Sequence, residues 1–487
     1  MTLHPLIEPY WINAILPELI LACAGMLLIL LDAFSPRMRG AFAPLAIVVF
    51  IATGYSEFLV HEGTFFGGTY QLSGITRLFD FAFLLAALLA SMFAREYLMQ
   101  QNIDGGEFYA LLMWGTIGMM MMAKGLDLLI IILGLETLSV CIFVLVGFNR
   151  RLPVSNEASL KYFLMGAFAT GFILYGTALF YGASGSTSLR GMTDYFATVD
   201  GASNPLLTVA FIMLMAGMGF KLALAPFHGW APDVYQGAPT PVAAWLSVAP
   251  KIATIVALFR IFGAMYPVAQ QLHWMQIVAV LSVLSMVLGN FVAIAQRDLK
   301  RMLAYSGIAH VGYMMIAVRV VREDAVAAIL TYGLTYALMN IGAFGVISLI
   351  QKNQNDPQTL DDVAGLGWRR PFYGAALAVC MFSLAGLPPT AGFISKFYVF
   401  KVAIDAGAVK LAVIGILTSI VSTYYYLRVV YYLYMKEADE LTPMTADGPF
   451  ATGALIIAVI GILLIGIHPT PLFQSALDAA GALFHTH

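Results

Sequence analysis

Charge is the scarcest commodity in this chain: Asp, Glu, Lys and Arg make up only 11% of its 487 residues, where a soluble domain carries about a quarter. A conventional water-soluble enzyme is therefore excluded. With 25 basic residues against 27 acidic ones and no Lys/Arg-rich block, so is the electrostatic footprint of a nucleic-acid binder. Cysteine is scarcer still. Cys23, Cys141 and Cys380 each stand alone inside apolar stretches, with no CxxC spacing, so zinc, iron-sulfur and disulfide-exchange chemistry are not expected and packing is the reading for all three. No glycine fingerprint follows a strand, no Walker loop occurs, and no histidine pair suits haem. The chain is thus expected to bind no nucleotide or redox metal, and its energy must come from an ion gradient or from partner subunits. Before Arg37 there is no Lys or Arg, so the basic region of a cleaved signal peptide is missing and the first apolar run is expected to remain as a membrane helix.

What is present is apolar length. Hydrophobic residues make up 60% of the chain, in runs near the roughly 20 residues that cross a hydrocarbon core. Approximate spans are 11-31, 41-60, 78-99, 108-123, 127-148, 156-181, 205-227, 240-263, 273-295, 302-318, 325-350, 371-405, 409-434 and 451-468. The pattern predicts an all-α integral membrane protein of about fourteen transmembrane helices in a single polytopic domain, 1-487. The span 371-405 contains Leu387-Pro388-Pro389, which cannot continue a helix, so one broken helix is expected there.

With the N-terminus outside, loops on the inner side hold Arg37, Arg39, Arg95, Arg150, Arg151, Arg297, Lys300, Arg301, Lys352, Arg369, Arg370 and Lys436, twelve in all. The outer side holds seven: Arg77, Lys124, Arg190, Arg260, Arg319, Arg322 and Lys410. This bias predicts both termini, His487 included, in the periplasm of a bacterial inner membrane.

Two segments look like distant copies of one device. Gly219-Phe220-Lys221 through Pro226-Phe227-His228 and Gly386-Leu387-Pro388-Pro389 through Ser395-Lys396 each join a helix-breaking proline to a nearby lysine. They fall in the seventh and twelfth spans, five apart and so oppositely oriented, which is the pattern of an inverted repeat with discontinuous helices around ion sites. The two five-helix repeats would cover 108-263 and 273-434.

Four charges lie where a membrane tolerates charge least. Lys251 is about ten residues into its span, roughly 15 Å deep at 1.5 Å per residue and beyond the reach of snorkelling. Glu136 is equally deep, and with Lys221 and Lys396 the four would cost on the order of 10 kcal/mol if all were charged at the bilayer centre. Stability alone does not select them, and a static ion pair is a poor account because one glutamate cannot neutralise three lysines. Lys161, after Asn156-Glu157, is close enough to the edge to snorkel, so a path residue and an interfacial anchor both stand. His228, beyond Pro226, is suited to proton transfer near neutral pH or to capping the broken helix. For His310, a place at the start of the path and simple interfacial placement are both open. Arg428, among Tyr424, Tyr425, Tyr426, Tyr431 and Tyr432, reads as an aromatic-belt anchor, with a deep placement as the alternative. Glu18 and Asp80, near span ends, read as capping or partner-contact groups. The Met119-Met120-Met121-Met122 run has no Cys or His nearby and reads as packing.

The stretch from Phe220 through Pro226-Phe227-His228-Gly229-Trp230-Ala231-Pro232-Asp233-Val234-Tyr235-Gln236-Gly237 to Pro241-Val242 resembles the subunit N family of bacterial NADH-quinone oxidoreductase, respiratory complex I. Leu133-Gly134-Leu135-Glu136, Ala158-Ser159-Leu160-Lys161-Tyr162-Phe163, Lys300 through Tyr313, and Ser383 to Lys396 extend the resemblance over nearly the whole chain. It implies an antiporter-like fold with inverted repeats and a midplane row of ionisable groups. In that row Glu136 and Lys221 are the coupling pair, Lys251 the central relay and Lys396 the relay of the second half, with Lys161 and His228 also matching. It further implies that NADH, FMN, iron-sulfur clusters and quinone belong to partner subunits, and that subunit M and small membrane subunits adjoin this chain. Subunits L and M and the large subunits of multisubunit sodium/proton antiporters share the fold, but Asp233-Val234-Tyr235-Gln236-Gly237 and an ending at His487 without a lateral extension favour the N type. The expected mechanism has Glu136 hold Lys221 protonated until quinone reduction elsewhere parts the pair and drives the proton toward Lys251 and Lys396. The alternatives are a cation/proton antiporter subunit without electron-transfer partners and a purely structural spacer.

Overall fold

The computed structural model describes residues 9–198, 204–350, 358–437, 444 and 448–483; Lys352 and His487 lie outside the described residues. A short α1 (Pro9–Ala14) leads into α2 (Leu16–Phe34), α3 (Phe42–Ser56), α4 (Gly74–Gln100), α5 (Gly106–Lys124), α6 (Leu128–Val146) and α7 (Pro153–Ser184). A small hairpin of β1 (Gly63–Phe65) and β2 (Tyr70–Leu72) separates α3 from α4, with Thr64 paired to Gln71. After the peripheral α8 (Leu189–Thr198) come α9 (Pro205–Leu222), α10 (Trp230–Gly237), α11 (Thr240–Leu246), α12 (Ala249–Gln271), α13 (Trp274–Ala295) and α14 (Leu299–Val318). The chain continues through α15 (Glu323–Tyr336), α16 (Gly342–Ser348), the single turn α17 (Leu366–Arg369), α18 (Pro371–Ala385), α19 (Ala391–Asp405), α20 (Val409–Tyr434), α21 (Pro449–Ile467) and α22 (Thr470–Ala480).

Among the described residues, eleven helices are long and apolar enough to cross a membrane. The fourteen expected spans add α5, α14 and the broken α18–α19 pair, which pack alongside them. The span Thr240–Tyr266, built from α11 and α12, is buried throughout, whereas Pro153–Ser184 is only one-third buried and presents Leu160, Phe168 and Tyr175 outward. A helix apolar all round and buried is the core of a bundle, and one that exposes aliphatic and aromatic side chains faces lipid or a neighbouring subunit.

Matched details recur in the two expected repeats. Asp127 caps α6 by accepting from the Leu129 amide at 2.8 Å, and Asp298 caps α14 by accepting from the Arg301 amide at 2.7 Å. Each satisfies a free amide of a first helical turn. Asp127 also forms a bridge to Ser188, past the end of α7, and Asp298 a bridge to Thr359, past the end of α16. Successive crossings put these two caps at opposite ends of the bundle. Both expected helix breaks are present. α9 ends with Ala223 in the left-handed region at φ +57° before Pro226, and α18 ends with Gly386 at φ +84° before Pro388-Pro389.

Two further irregularities were not expected. Ser247 and Val248 interrupt the span between α11 and α12, just ahead of Lys251, and a π-helical turn, Ala337–Ile341, joins α15 to α16. They face each other: Asn340 Nδ2 donates to Ser247 Oγ at 2.6 Å. Extra turns of this kind inside membrane helices are tolerated where protein, not lipid, surrounds the backbone.

Candidate functional site

The first break positions an ion pair. Lys221 sits one residue before the end of α9, and its Nζ lies 3.8 Å from Glu136 Oε1 on α6. Neither group depends on the other alone. Lys221 donates to Ser139 Oγ at 2.7 Å, and Glu136 accepts from Thr170 Oγ1 at 2.8 Å. The ammonium also lies 5.7 Å from the Phe143 ring centre, within cation–π range. The pair is therefore loose, with each member held by its own hydroxyl.

The second break positions Lys396 differently. Here the lysine follows the break, on α19, and reaches back to the carbonyls of Leu384 and Ala385 at 3.0 and 3.1 Å and to Ser419 Oγ at 2.9 Å. The negative end of α18 takes the place of a carboxylate. A Cβ at Gly386 would lie 3.2 Å from this amine, so glycine serves both the positive φ and the close approach. A cavity of about 580 Å³ begins at Lys396 and Ser419 and extends past Phe397 and Thr423 to the Lys401–Asp405 pair.

Lys251 lies between these two stations on α12. It is 2% exposed, and its Nζ makes no hydrogen bond and no ion pair among the described residues. Gly307 on α14 leaves it room: a Cβ there would stand 2.7 Å from Nζ and 3.0 Å from the Tyr336 hydroxyl. From that point a polar row continues. The His310 ring stacks on Tyr336 at 4.8 Å, its Nδ1 is 2.6 Å from the Tyr332 hydroxyl, and its Nε2 is 3.1 Å from the Tyr426 hydroxyl, which also bonds Ser306. Nearby, Tyr425 donates to Asn290 Oδ1 at 3.0 Å, Asn290 Nδ2 is 2.8 Å from the Tyr313 hydroxyl, and the Lys396 ammonium lies 5.6 Å from the Tyr313 ring centre. Side chains of α13, α14, α15 and α20 thus fill the interval between Lys251 and Lys396 with hydroxyls, an amide and one imidazole.

Of the two placements open for His310, the structure shows the buried one, since α14 crosses with nearly every residue covered. Arg428 lies 6.0 Å from the Tyr424 ring centre, and its Nη1 and Nη2 also donate to the carbonyls of Ile294 and Gln296 at 2.8 and 2.6 Å and cap the end of α13. His228 is partly buried after the first break, with its ring 6.4 Å from that of Tyr305. Lys161 is not brought into the central row. Its side chain is 46% exposed and pairs with Glu157 at 2.7 Å and Asp233 at 3.5 Å, while Asp233 also binds Arg301 at 2.7 Å.

Sequence reasoning missed a further cluster. Lys124, taken for a loop charge, is 0% exposed, with Glu18 Oε1 at 2.7 Å, Asp80 Oδ2 at 2.7 Å and Glu57 Oε1 at 3.2 Å. Arg260, also taken for a loop charge, is buried and donates to the Ala123 carbonyl at 2.6 Å and to Gln71 Oε1 at 3.0 Å.

Paired helix breaks with buried amines, in a bundle of membrane-length helices, define an antiporter-like multi-pass membrane protein. The chain belongs to the NADH:quinone oxidoreductase/Mrp antiporter transmembrane family, whose pattern matches residues 125–422. The NADH-quinone oxidoreductase subunit N of Trichlorobacter lovleyi is 43% identical over 472 residues, 96% of each chain. That of Chloroflexus aggregans is 40% identical over 476 residues, again 96% of each. A chain in the structure of respiratory complex I from Thermus thermophilus with bound aureothin shares 36% identity at a TM-score of 0.80, covering 95% of this chain and 99% of that one. A chain of the Mrp complex from Dietzia sp. shares 18% identity at a TM-score of 0.83 over 98% of both, a likeness of fold alone.

Proposed function

We propose that this chain is the subunit-N-type proton-translocating membrane subunit of a bacterial NADH:quinone oxidoreductase, seated in the inner membrane with both termini periplasmic. The observation that supports it most is Lys251, a fully buried amine with no counter-charge, set between an amine beside a carboxylate and an amine beside carbonyls. An amine in that position is at its least costly when it can gain and lose a proton. Lys221 is the first carrier, kept charged by Glu136. Lys251 receives the proton through rearranged water and side chains. His310 and the surrounding tyrosines carry it toward Lys396, whose cavity opens to the surface. Parting Glu136 from Lys221 costs little structurally because Thr170 and Ser139 already hold each one separately. Lys161 and His228, with Asp233 and Arg301, serve the near end of the path.

In this reading the chain itself performs no redox step. NADH, FMN, iron-sulfur clusters and quinone are handled by partner subunits, and subunit M and small membrane subunits adjoin it. The relatives at 38–43% identity all bear the oxidoreductase name, whereas the Mrp complex chain shares only 18% identity, which favours the redox-coupled reading over a free-standing antiporter. Inside-out membrane vesicles test it. NADH oxidation should drive proton uptake that needs this chain, and the chain should co-purify with flavin- and iron-sulfur-bearing subunits in mild detergent. Cation/proton exchange that persists without NADH and quinone, with no such co-purification, would contradict it.

A further inference from the structure

The cluster around Lys124 lies outside the row from Lys221 to Lys396, at the other side of the bundle from Lys161, Asp233 and Arg301. The topology fixes this: α6 crosses from Asp127 to Val146, and Lys161 follows near the start of the returning α7. Four separate elements contribute its charges. Glu18 is in the first turn of α2, Glu57 just past α3, Asp80 in α4 and Lys124 at the last residue of α5. The helices that bring the three carboxylates precede the segment matched by the family pattern, 125–422.

Charge does not balance there. All four residues are buried, and Lys124 is the one ammonium or guanidinium within ion-pair distance of the three acids among the described residues. The nearby buried Arg260 donates Nε and Nη1 to the Ala123 carbonyl and Gln71, leaves Nη2 without a hydrogen-bond partner among the described residues and forms no ion pair with the three acids, and Arg77 turns to Glu62 and the Val60 carbonyl. Tyr70 donates its hydroxyl to Glu18 Oε1 at 2.6 Å. Fully ionised, three carboxylates and one ammonium leave a net charge of −2 in a water-excluded site, and −1 even when the neighbouring Arg260 is counted, an excess that protein interiors do not readily sustain. A second observation points the same way. Glu18 Oε2, Glu57 Oε2 and Asp80 Oδ1 are buried with no hydrogen-bond donor. A proton on one such oxygen supplies the donor that its neighbour lacks, and carboxyl groups this close share protons as a unit.

We propose that Glu18, Glu57 and Asp80, gathered around Lys124, form a proton-holding site on the release side of the relay. The proton carried is an exchangeable one: a carboxylic acid of the set gives it up and an adjacent carboxylate accepts it, with Lys124 retaining its charge throughout. α12 connects the site to the relay, since it bears Lys251 and, nine residues later, Arg260. That spacing is about 13 Å along the helix. The release role rests on the proton-translocating reading above; the holding of a proton does not.

The test uses the intact complex in vesicles and reads two things. Infrared difference spectra between mildly acidic and alkaline pH, in H₂O and in D₂O, report protonated carboxyl groups without turnover. Proton uptake per NADH oxidised, followed across pH, reports the role in translocation. The expected result is an isotope-sensitive carboxylic-acid band in the unmodified complex that is lost or shifted in at least one of Glu18→Gln, Glu57→Gln and Asp80→Asn, with a displaced pH profile of uptake in that variant. A complex that lacks such a band, or one whose band is untouched by all three substitutions, overturns the proton-holding site even if pumping is intact. A band lost with the uptake profile unchanged overturns the release role. Failure of NADH-driven uptake in the unmodified complex would count against the translocation reading and leave the infrared result to judge the site.

Discussion

Lys124 and Lys251 are equally buried and oppositely provided for. The first has three carboxylates within 3.2 Å or less; the second has no hydrogen-bond partner at all among the described residues. Burial by itself therefore says little about what a membrane lysine does. The partner set decides whether the amine is fixed as a charge or is free to exchange its proton, and the same contrast runs in weaker form between Lys221, with its carboxylate, and Lys396, with carbonyls and a serine.

The contrast is sharpest when each amine is removed. Lys124→Met leaves three buried acids with no cation, and a broken buried ion network is expected to destabilise by about 3–5 kcal/mol. Less of the complex should assemble, and its thermal unfolding should fall by several degrees. Lys251→Met removes an unpaired amine and keeps an unbranched chain of similar length, so assembly and thermal unfolding should match the unmodified protein. Equal losses in the two variants, measured by blue-native electrophoresis and thermal denaturation, would erase the distinction.

Gly307→Ala acts on the free amine without removing it. The added methyl would stand 2.7 Å from Lys251 Nζ, so the amine must shift, and crowding of this kind costs about 1–3 kcal/mol. NADH-driven uptake should drop several-fold with assembly retained. Unchanged uptake would mean that the placement of Lys251 opposite Gly307 is not needed.

How much of this was open to sequence reasoning follows from where each residue sits. Glu136, Lys221, Lys251 and Lys396 are visible because each interrupts a long apolar run, and two of them adjoin prolines that break a helix. Depth in one helix is a one-dimensional property, and it could be counted. Glu18, Glu57, Asp80 and Lys124 each lie near the end of a different helix, so Glu18 and Asp80 read singly as capping or partner-contact groups and Lys124 as a loop charge. Only the packing of α2, α3, α4 and α5 brings them together. The placement of His310 stayed open for a related reason, since the covering of α14 by α10, α13, α15 and α19 is not written in its own residues. The Ser247–Val248 interruption was signalled by Pro250, which sits in the first turn of α12 and cannot continue the helix before it, whereas the π-helical turn at Ala337–Ile341 carries no proline and left no signal.

The smallest effect concerns a carboxyl at the surface end, between α4 and α5. Asp104 is raised to about 6, by burial first and then by the charge of Asp32, against Arg39 and Arg95. The folded protein therefore favours the protonated acid. Its contribution to stability is fully present below the unfolded value near 4 and is lost as pH rises through about 6. Asp104→Asn should raise stability by roughly 1 kcal/mol at about pH 8, after allowance for solvent screening of a partly exposed group, and should give no gain near pH 4. A gain that is the same at both pH values would show that the charge of Asp104 is not its source.

Proton translocation through this chain requires that Lys251 exchange its proton, and Lys251→Arg examines that directly. Arginine keeps the positive charge but does not readily release a proton, so a fixed charge would be preserved and a relay would not. Proton uptake into inside-out vesicles, driven by NADH and normalised to its oxidation, should fall at least several-fold in both Lys251→Arg and Lys251→Met, in complexes that retain their full redox-centre content. Uptake at the unmodified level in the arginine variant would contradict the relay and leave Lys251 as a structural charge.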